Sequence, residues 1–408
     1  MQAVIMAGGK GTRIASVDSS VPKPMVLICG KPILQYQIEC LRDQEITDII
    51  LVIGHLGSVI RNYFKDGDAF GVSIRYVEEG DPLGTAGALY YLKDEIQDDF
   101  LLLNGDIIFD VDFYRFMNYH KEKGGTATIF THPNSHPYDS GIVVTDAAGF
   151  VIQWMHKEEE RTYYKNRVNA GLHILSPDIF RMFRGVKKTD LDREILKALI
   201  PEHGLVAYDS PEYVKDMGTP ERYRMVIRDM EKGLVHAKNL SYRQKAVFLD
   251  RDGTLNLYKG FIKKAEELEL IPGIANAVRK INESGYLAIV VTNQPVIARG
   301  ECTLEELDQI HQKMETLLGQ EGAYIDDLFY CPHHPDRGFE GERAEYKIDC
   351  KCRKPEPGLL YQAAEKYNID LHSSYMVGDD ERDMEAGRRA GCRLCKVKCN
   401  EVFTLHLD

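Results

Sequence analysis

Short, unbroken apolar runs recur along the chain, each followed by a stretch with helical periodicity. Gln2–Met6 (QAVIM) runs straight into glycines, Ile49–Ile53 (IILVI) and Phe100–Leu103 are apolar at every position, and residues 33–43 repeat with a helical period. Strands without polar alternation are those buried on both faces, so the pattern predicts a parallel sheet covered by helices. This series closes with a predicted helix over Pro220–Lys232. Residues 233–245 are polar and aperiodic. At Ala246 the pattern restarts: a strand (AVFLD), a helix around Gly273–Ser284, a strand over Leu287–Thr292, a helix around Leu304–Leu318, a helix near Gly358–Tyr367, a strand at Tyr375–Val377 and a helix after Asp383. The expected organisation is a first α/β domain over 1–232, a linker over 233–245 and a second α/β domain over 246–408. There is no internal repeat and no low-complexity segment.

Composition narrows the function classes. A length of 408 residues, 44% apolar and 28% charged, suits two globular domains with separate cores. No apolar run approaches the ~18 residues of a membrane span, and MQAVIMAGG is too short and too glycine-rich for a signal peptide. A net charge of -12 argues against general nucleic-acid binding. Of nine cysteines, Cys29 and Cys40 alone precede residue 300. That distribution suits free thiols and a metal site in a reducing, cytoplasmic setting better than a disulfide framework.

The first strand leads into Met6-Ala-Gly-Gly-Lys-Gly-Thr-Arg13. Gly8, Gly9 and Gly11 would let backbone N–H groups approach phosphate oxygens closely, and Arg13 could add a forked cationic contact. Ten residues on, Val21-Pro-Lys-Pro-Met25 holds Lys23 between two prolines. Asn104-Gly-Asp106 ends a predicted buried strand, where a carboxylate is well placed to bind Mg²⁺. Together these motifs resemble the signature of the sugar nucleotidyltransferases, whose fold is Rossmann-like (GT-A-like). The resemblance implies nucleotide binding by Gly8, Gly9, Gly11, Thr12 and the loop Glu79-Gly-Asp-Pro-Leu-Gly-Thr-Ala-Gly87, in particular Glu79, Gly84 and Thr85. It implies Mg²⁺ binding by Asp106 and by Asp216 of Val214-Lys-Asp-Met-Gly-Thr-Pro220, sugar contacts from Gly141 and Asn169, and a sugar-phosphate contact from Lys157. Lys23 and Arg13 would neutralise charge while a sugar 1-phosphate oxygen attacks the α-phosphorus of a nucleoside triphosphate and pyrophosphate leaves. Relatives usually carry a glutamate where this chain has His156. The Ile-Ala-Ser-Val-Asp run after Arg13 looks more like the heptose 1-phosphate guanylyltransferases than the thymidylyl- or uridylyltransferases, which implies GTP.

In the second half, Phe248-Leu-Asp-Arg-Asp-Gly-Thr-Leu-Asn256 follows the strand that restarts the pattern. Two aspartates two residues apart at a strand end suit Mg²⁺ and an in-line attack on phosphate. This resembles the first motif of the haloacid dehalogenase superfamily, a second Rossmann-like fold. The resemblance makes Asp250 the nucleophile and Asp252 the acid and then base, with Asp250, Asp252 and Asp379 around Mg²⁺ and Asp383 as a second ligand or supporting group. It places Thr292 and Asn293 on the transferring phosphate, Lys354 as its counter-charge, and Arg299 and Arg353 on the substrate. Asp380 stands where close relatives often carry lysine.

Cys331-Pro-His333 and Cys350-Lys-Cys352 form a C-x-H…C-x-C set suited to tetrahedral Zn²⁺. It resembles the structural zinc loop of the heptose 1,7-bisphosphate and histidinol-phosphate phosphatases. Cys392, Cys395 and Cys399 read instead as residues of a last strand and its exit.

The two resemblances cover nearly the whole chain and imply consecutive steps of GDP-heptose formation. A phosphatase removes the 7-phosphate of D-glycero-α-D-manno-heptose 1,7-bisphosphate, and a nucleotidyltransferase joins the remaining 1-phosphate to the nucleotide of GTP. Alternatives are mannose 1-phosphate or CTP as substrates, a histidinol-phosphate-type phosphatase, or an N-terminal nucleotide-sugar sensor that regulates the phosphatase. The expected partners are a nucleoside triphosphate and sugar phosphates, without nucleic acid or membrane, and a homo-oligomer is compatible with this reading.

Overall fold

The computed structural model describes residues 1–9 and 21–407. The chain forms two compact units. Met1–His132, Val143–Trp154 and Asn169–His236 make the first, and Pro133–Ile142, Met155–Val168 and Ala237–Asp408 the second. Both are of the α/β Rossmann type.

The N-terminal strands are β1 (Gln2–Met6), β2 (Leu27–Ile28), β3 (Lys31–Pro32), β4 (Asp48–Ile53), β5 (Ser73–Glu78), β6 (Phe100–Asn104), β7 (Ile107–Asp110), β8 (Ala127–His132), β9 (Ile142–Thr145), β10 (Val151–Met155), β11 (Val168–Leu175), β12 (Leu205–Asp209) and β13 (Tyr213–Asp216). Helices α1 (Ile33–Arg42), α2 (Gly57–Phe64), α3 (Phe113–Lys123), α4 (Pro220–Glu231) and α5 (Leu234–Ala237) join them. The main sheet runs β10-β9-β11-β6-β1-β4-β5, with β8 paired to β11 and β12. β1, β4, β5 and β6 are parallel neighbours, as their unbroken apolar runs require, and β11 enters antiparallel to β6. Val4 and Ile5 have no exposed surface, and each faces its own layer of core. Strand order reverses between β1 and β6, which opens a crevice at their carboxyl ends. There the Gly105 N–H donates to the Met6 carbonyl at 3.0 Å, and a Cβ on Gly105 would lie 2.8 Å from that oxygen.

The C-terminal strands are β14 (Ala246–Leu249), β15 (Leu287–Asn293), β16 (Asp327–Cys331), β17 (Tyr375–Gly378) and β18 (Arg393–Lys396), and the helices α6 (Ile274–Asn282), α7 (Leu304–Gln320), α8 (Gly358–Tyr367) and α9 (Glu381–Ala390). They form one parallel sheet in the order β16-β15-β14-β17-β18. Its reversal point lies between β14 and β17. The expected helix after Asp383 starts earlier, at Glu381, because Asp380 caps it: its carboxylate accepts the Arg382 N–H at 2.8 Å, and Asp383 reaches back to the Asp380 N–H at 3.1 Å.

Two stretches that precede the polar segment at 233–245 group with the second unit. The Tyr164 N–H donates to the Thr316 hydroxyl (2.9 Å), and the Asn166 N–H to Glu315 Oε2 (3.0 Å). Arg167 Nη1 lies 3.3 Å from Glu315 Oε2, and Nη2 donates to the Asp326 carbonyl at 2.8 Å. The Arg167 and Glu315 side chains are each 4% exposed. Removing one charge of such a pair leaves the other buried with less compensation. Glu315→Gln is therefore expected to destabilise the second unit by about 3–5 kcal/mol. The exposed control Glu365→Gln should stay within about 0.5 kcal/mol of the parent. Urea unfolding followed by circular dichroism measures both.

Candidate active sites

In the first unit, β7 and β13 pair antiparallel with Ile107 opposite Asp216, so Asp106 and Asp216 end adjacent strands. The Met217 N–H donates to the Asp106 carbonyl at 3.0 Å, which ties the two turns together. Lys23 sits on a short 3-10 turn started by Pro22, and its ammonium pairs with the Asp106 carboxylate. Arg222, from α4, places Nη1 2.9 and 2.8 Å from the two oxygens of Asp216, and the Gly218 N–H adds a third contact at 2.8 Å. Burial would raise Asp216, but Arg222, Gly218 and Lys23 outweigh it and hold the carboxyl below its usual range. Two carboxylates and two cations thus share one strand edge. The sequence pointed to both aspartates and to Lys23. Arg222 went unnoticed, because its partner lies across a turn and no motif marks it.

The loop over 79–87 is pinned from outside. Thr85 Oγ1 accepts the Leu191 N–H at 2.7 Å, and Gly84 (φ +79°) passes so near the backbone that a Cβ would lie 2.5 Å from the Thr189 carbonyl. Glu79 turns toward Gly8, whose lack of a Cβ leaves it room. Glu79 Oε1 is buried without a protein partner among the described residues. Burial pushes this carboxyl up, opposed by the Leu83 N–H. Gly9 is exposed, and a Cβ there would meet nothing within 4 Å among the described residues, whereas Gly11, Thr12 and Arg13 fall outside the described residues. Asn169 donates to Asp192 Oδ1 at 3.3 Å, and its own oxygen accepts the Gly171 N–H at 3.2 Å. Asn169 belongs to the first unit, Gly141 and the exposed Lys157 to the second. The His156 N–H donates to Glu159 Oε1 at 3.2 Å.

In the second unit the carboxyl ends of β14 and β17 bring Asp250, Asp379 and Asp383 together, with one oxygen of each within 4.8 Å of the others. Lys354 Nζ stands 2.6 Å from both Asp250 and Asp383. Burial raises Asp250, the Lys354 ammonium pulls it back, and Asp383 and Asp252 add to the rise. Offsetting this desolvation and like-charge repulsion is what a divalent cation would do here, and three carboxylate oxygens suit Mg²⁺. Asp252, expected among the ligands, is not in this group; its carboxylate faces Arg251, Gln294 and Asn256 instead. Asp383, expected as a second ligand or supporting group, is in it. Asp380 is neutralised by Arg382 (3.0 and 2.9 Å), chiefly through these hydrogen bonds, which hold it at about 2. The Asp380 carboxylate is therefore a helix cap with its own counter-ion.

Thr292 is buried at the end of β15, where its hydroxyl accepts from Gln294 at 2.9 Å. Asn293 grips the next loop: Nδ2 donates to the Lys354 carbonyl and Oδ1 accepts the Lys354 N–H, both at 3.0 Å. Arg299 is sandwiched between Phe261 and Phe339, 4.5 and 4.2 Å from the ring centroids. Arg353 Nη1 donates to the His333 carbonyl at 3.0 Å.

Cys331, His333, Cys350 and Cys352 form a second potential metal group. Their Sγ and Nδ1 atoms stand 3.2–3.6 Å apart. Metal–sulfur bonds of ~2.3 Å around a tetrahedral centre put sulfurs about 3.8 Å apart, so a small expansion would seat Zn²⁺. Hydrogen bonding from Cys331 lowers the Cys352 thiol to about 5, against burial. Cys392, Cys395 and Cys399 form no such group among the described residues.

These sites define a two-domain phosphoryl-transfer enzyme, with a nucleotidyltransferase-type and a haloacid dehalogenase-type phosphatase domain. The family model described as nucleotidyl transferase matches residues 2–233, and one described as HAD-hydrolase-like matches residues 351–402. The chain belongs to the nucleotidyl transferase family, and its C-terminal part to that of the D-glycero-beta-D-manno-heptose-1,7-bisphosphate 7-phosphatases. It is 33% identical over 229 residues to the mannose-1-phosphate guanyltransferase of Kluyveromyces lactis, covering 55% of this chain and 63% of that protein. It is 44% identical over 147 residues to the heptose bisphosphate phosphatase of Pasteurella multocida, covering 36% of this chain and 77% of that protein. The chain thus spans less than two thirds of the guanylyltransferases it matches. A Bacillus anthracis structure described as a glucose-1-phosphate thymidylyltransferase shares the N-terminal fold, with a TM-score of 0.50 at 21% identity over 56% of this chain and 96% of that one. Among the described residues, no helix is long and apolar enough to cross a membrane.

The cysteine–histidine group directly precedes Arg353 and Lys354, so a bound metal would order the loop that carries both cations. Chelation of zinc from the purified protein is expected to lower the thermal midpoint of the second unit and to reduce phosphate release, with readdition of Zn²⁺ restoring both. Unchanged melting and turnover after verified metal loss would contradict this role.

Proposed function

We propose that this chain is a bifunctional cytoplasmic enzyme of nucleotide-activated heptose synthesis. It removes the 7-phosphate of D-glycero-D-manno-heptose 1,7-bisphosphate and transfers GMP from GTP to the resulting heptose 1-phosphate. The carrying observation is that one polypeptide holds two separate carboxylate–lysine centres: Asp106 and Asp216 with Lys23, and Asp250 and Asp383 with Lys354.

In the second unit, Asp250 would attack the phosphorus while the ester P–O bond breaks and Asp252 protonates the leaving sugar oxygen. Water then hydrolyses the aspartyl phosphate, with Asp252 taking its proton. Lys354 would hold the charge of Asp250 and of the phosphate. Magnesium, when bound at either carboxylate group, would neutralise phosphate oxygens. In the first unit, Lys23 would meet the charge that develops as the sugar phosphate attacks and pyrophosphate leaves.

Chemical continuity supports the heptose reading. A bisphosphate stripped of one phosphate keeps an anionic group for the transferase to use, whereas an amino alcohol freed from its only phosphate keeps none. The C-terminal relatives named above act on such a bisphosphate by name. Support for guanine comes from Glu79. Guanine presents two N–H donors side by side, which one carboxylate can accept together, while the carbonyls of uracil and thymine would face it unfavourably.

The reading is tested by offering the protein both anomers of the bisphosphate with each of four nucleoside triphosphates, following phosphate and pyrophosphate separately. From the bisphosphate, Asp250→Asn should abolish phosphate release and, for want of heptose 1-phosphate, pyrophosphate release as well, with the latter restored when heptose 1-phosphate is supplied; Lys23→Ala should chiefly weaken pyrophosphate release. Phosphate without any nucleotide sugar would defeat the two-step reading. Glu79→Gln is expected to lower kcat/KM for GTP by roughly 10- to 100-fold, the worth of a charged hydrogen bond. An equal fall with every nucleotide would count against guanine recognition.

A further inference from the structure

Asp252, the acid–base carboxylate of the phosphatase reading, lies apart from the three carboxylates that gather for an ion. Both of its oxygens are held by side chains to which that reading gives no task. Arg251, between the two aspartates in sequence, has no exposed surface. Its Nε and Nη2 stand 3.2 and 2.9 Å from Asp252 Oδ1, and Nη2 also stands 2.9 Å from Oδ2. Gln294, 2% exposed, donates from Nε2 to Asp252 Oδ2 at 2.9 Å and accepts from Arg251 Nη2 on Oε1 at 3.0 Å. Asn256 Nδ2 closes the ring on Oδ1 at 3.1 Å.

A guanidinium is costly to bury unless it is paired and hydrogen-bonded, and an apolar residue usually serves stability better at such a position. Here Nη1 of Arg251 lacks a hydrogen-bond partner among the described residues, so the pairing is incomplete. What the buried charge does accomplish is geometric. It grips one carboxylate from the side while Gln294 locks the grip, and the two torsions of Asp252 are left a single setting. A proton donor must meet the leaving oxygen at hydrogen-bond distance and in line with the departing bond, and small displacements cost large factors in rate.

We propose that Arg251 and Gln294 are positioning residues that aim Asp252 at the leaving oxygen. This rests on the phosphatase reading above. The leaving group separates positioning from folding. In both a sugar phosphate and p-nitrophenyl phosphate, a bond forms from Asp250 to phosphorus and the ester P–O bond breaks. The sugar oxygen must take a proton as it leaves, whereas p-nitrophenolate departs with its electron pair and needs none.

In single-turnover measurements on the full chain, Gln294→Leu is expected to slow release of the sugar about 100-fold with KM unchanged. Release of p-nitrophenolate should stay within about twofold of the parent. Arg251→Lys, which keeps the charge and loses the fork, should show the same selective loss to a smaller degree, and serves if Gln294→Leu does not fold. Equal slowing of both esters, a loss expressed in KM, or no loss on the sugar phosphate would each overturn the cradle. No release from either ester by the parent enzyme would overturn the phosphatase reading itself, and the cradle with it.

Discussion

Like charges held at close quarters are the constraint on which this molecule depends. Phosphate chemistry calls for carboxylates within a few ångströms of one another, and those carboxylates repel. The two units meet the problem in the same way. Lys354 stands 2.6 Å from both Asp250 and Asp383, and Lys23 pairs with Asp106 while its charge also reaches Asp216. An ammonium on a flexible stem suits this place, since it can balance carboxylates in the resting protein and turn to phosphate when substrate arrives. The surrounding loops are built to hold these lysines: prolines brace Lys23, and Asn293 clasps the backbone of Lys354 from both sides.

Both centres also occupy the same place in their sheets. Each lies beyond the carboxyl ends of the strands where strand order reverses, between β1 and β6 in one unit and between β14 and β17 in the other. A reversal sends the flanking connections to opposite faces and leaves a crevice that neither fills. Residues immediately after those strands therefore become site residues, as with Asp106 after β6, Asp250 after β14 and Asp379 after β17.

Departures from family pattern find local explanations. Asp380 adds no free charge to the phosphatase centre, because it caps α9 and carries Arg382 as counter-ion. Arg222 gives Asp216 a partner that no linear motif announces. The stretch 155–168 lies among residues matched by the nucleotidyl transferase model, yet it is anchored by Arg167 to Glu315 of α7.

Unbroken apolar runs were enough to read β1, β4 and β6 of the first sheet and β14, β15 and β17 of the second, but not the antiparallel β11 or the edge strand β16. The strand-end motifs were enough to point to Asp106, Asp250 and Asp379, because a strand's terminus and the residues just beyond it stay together whatever the rest of the chain does, while Asp216 came from the family resemblance and the four zinc-type ligands from their paired spacing. Contacts between segments distant in sequence were not legible in that way. The place of Asp252 outside the carboxylate group, the Arg251–Gln294 grip, the Arg222–Asp216 pair and the Arg167–Glu315 pair all depend on side-chain directions that packing sets. Local pattern fixes which residues leave a strand at its end; only the folded backbone decides where a carboxylate's oxygens point, since that depends on which donors the other strands and helices bring within hydrogen-bond reach.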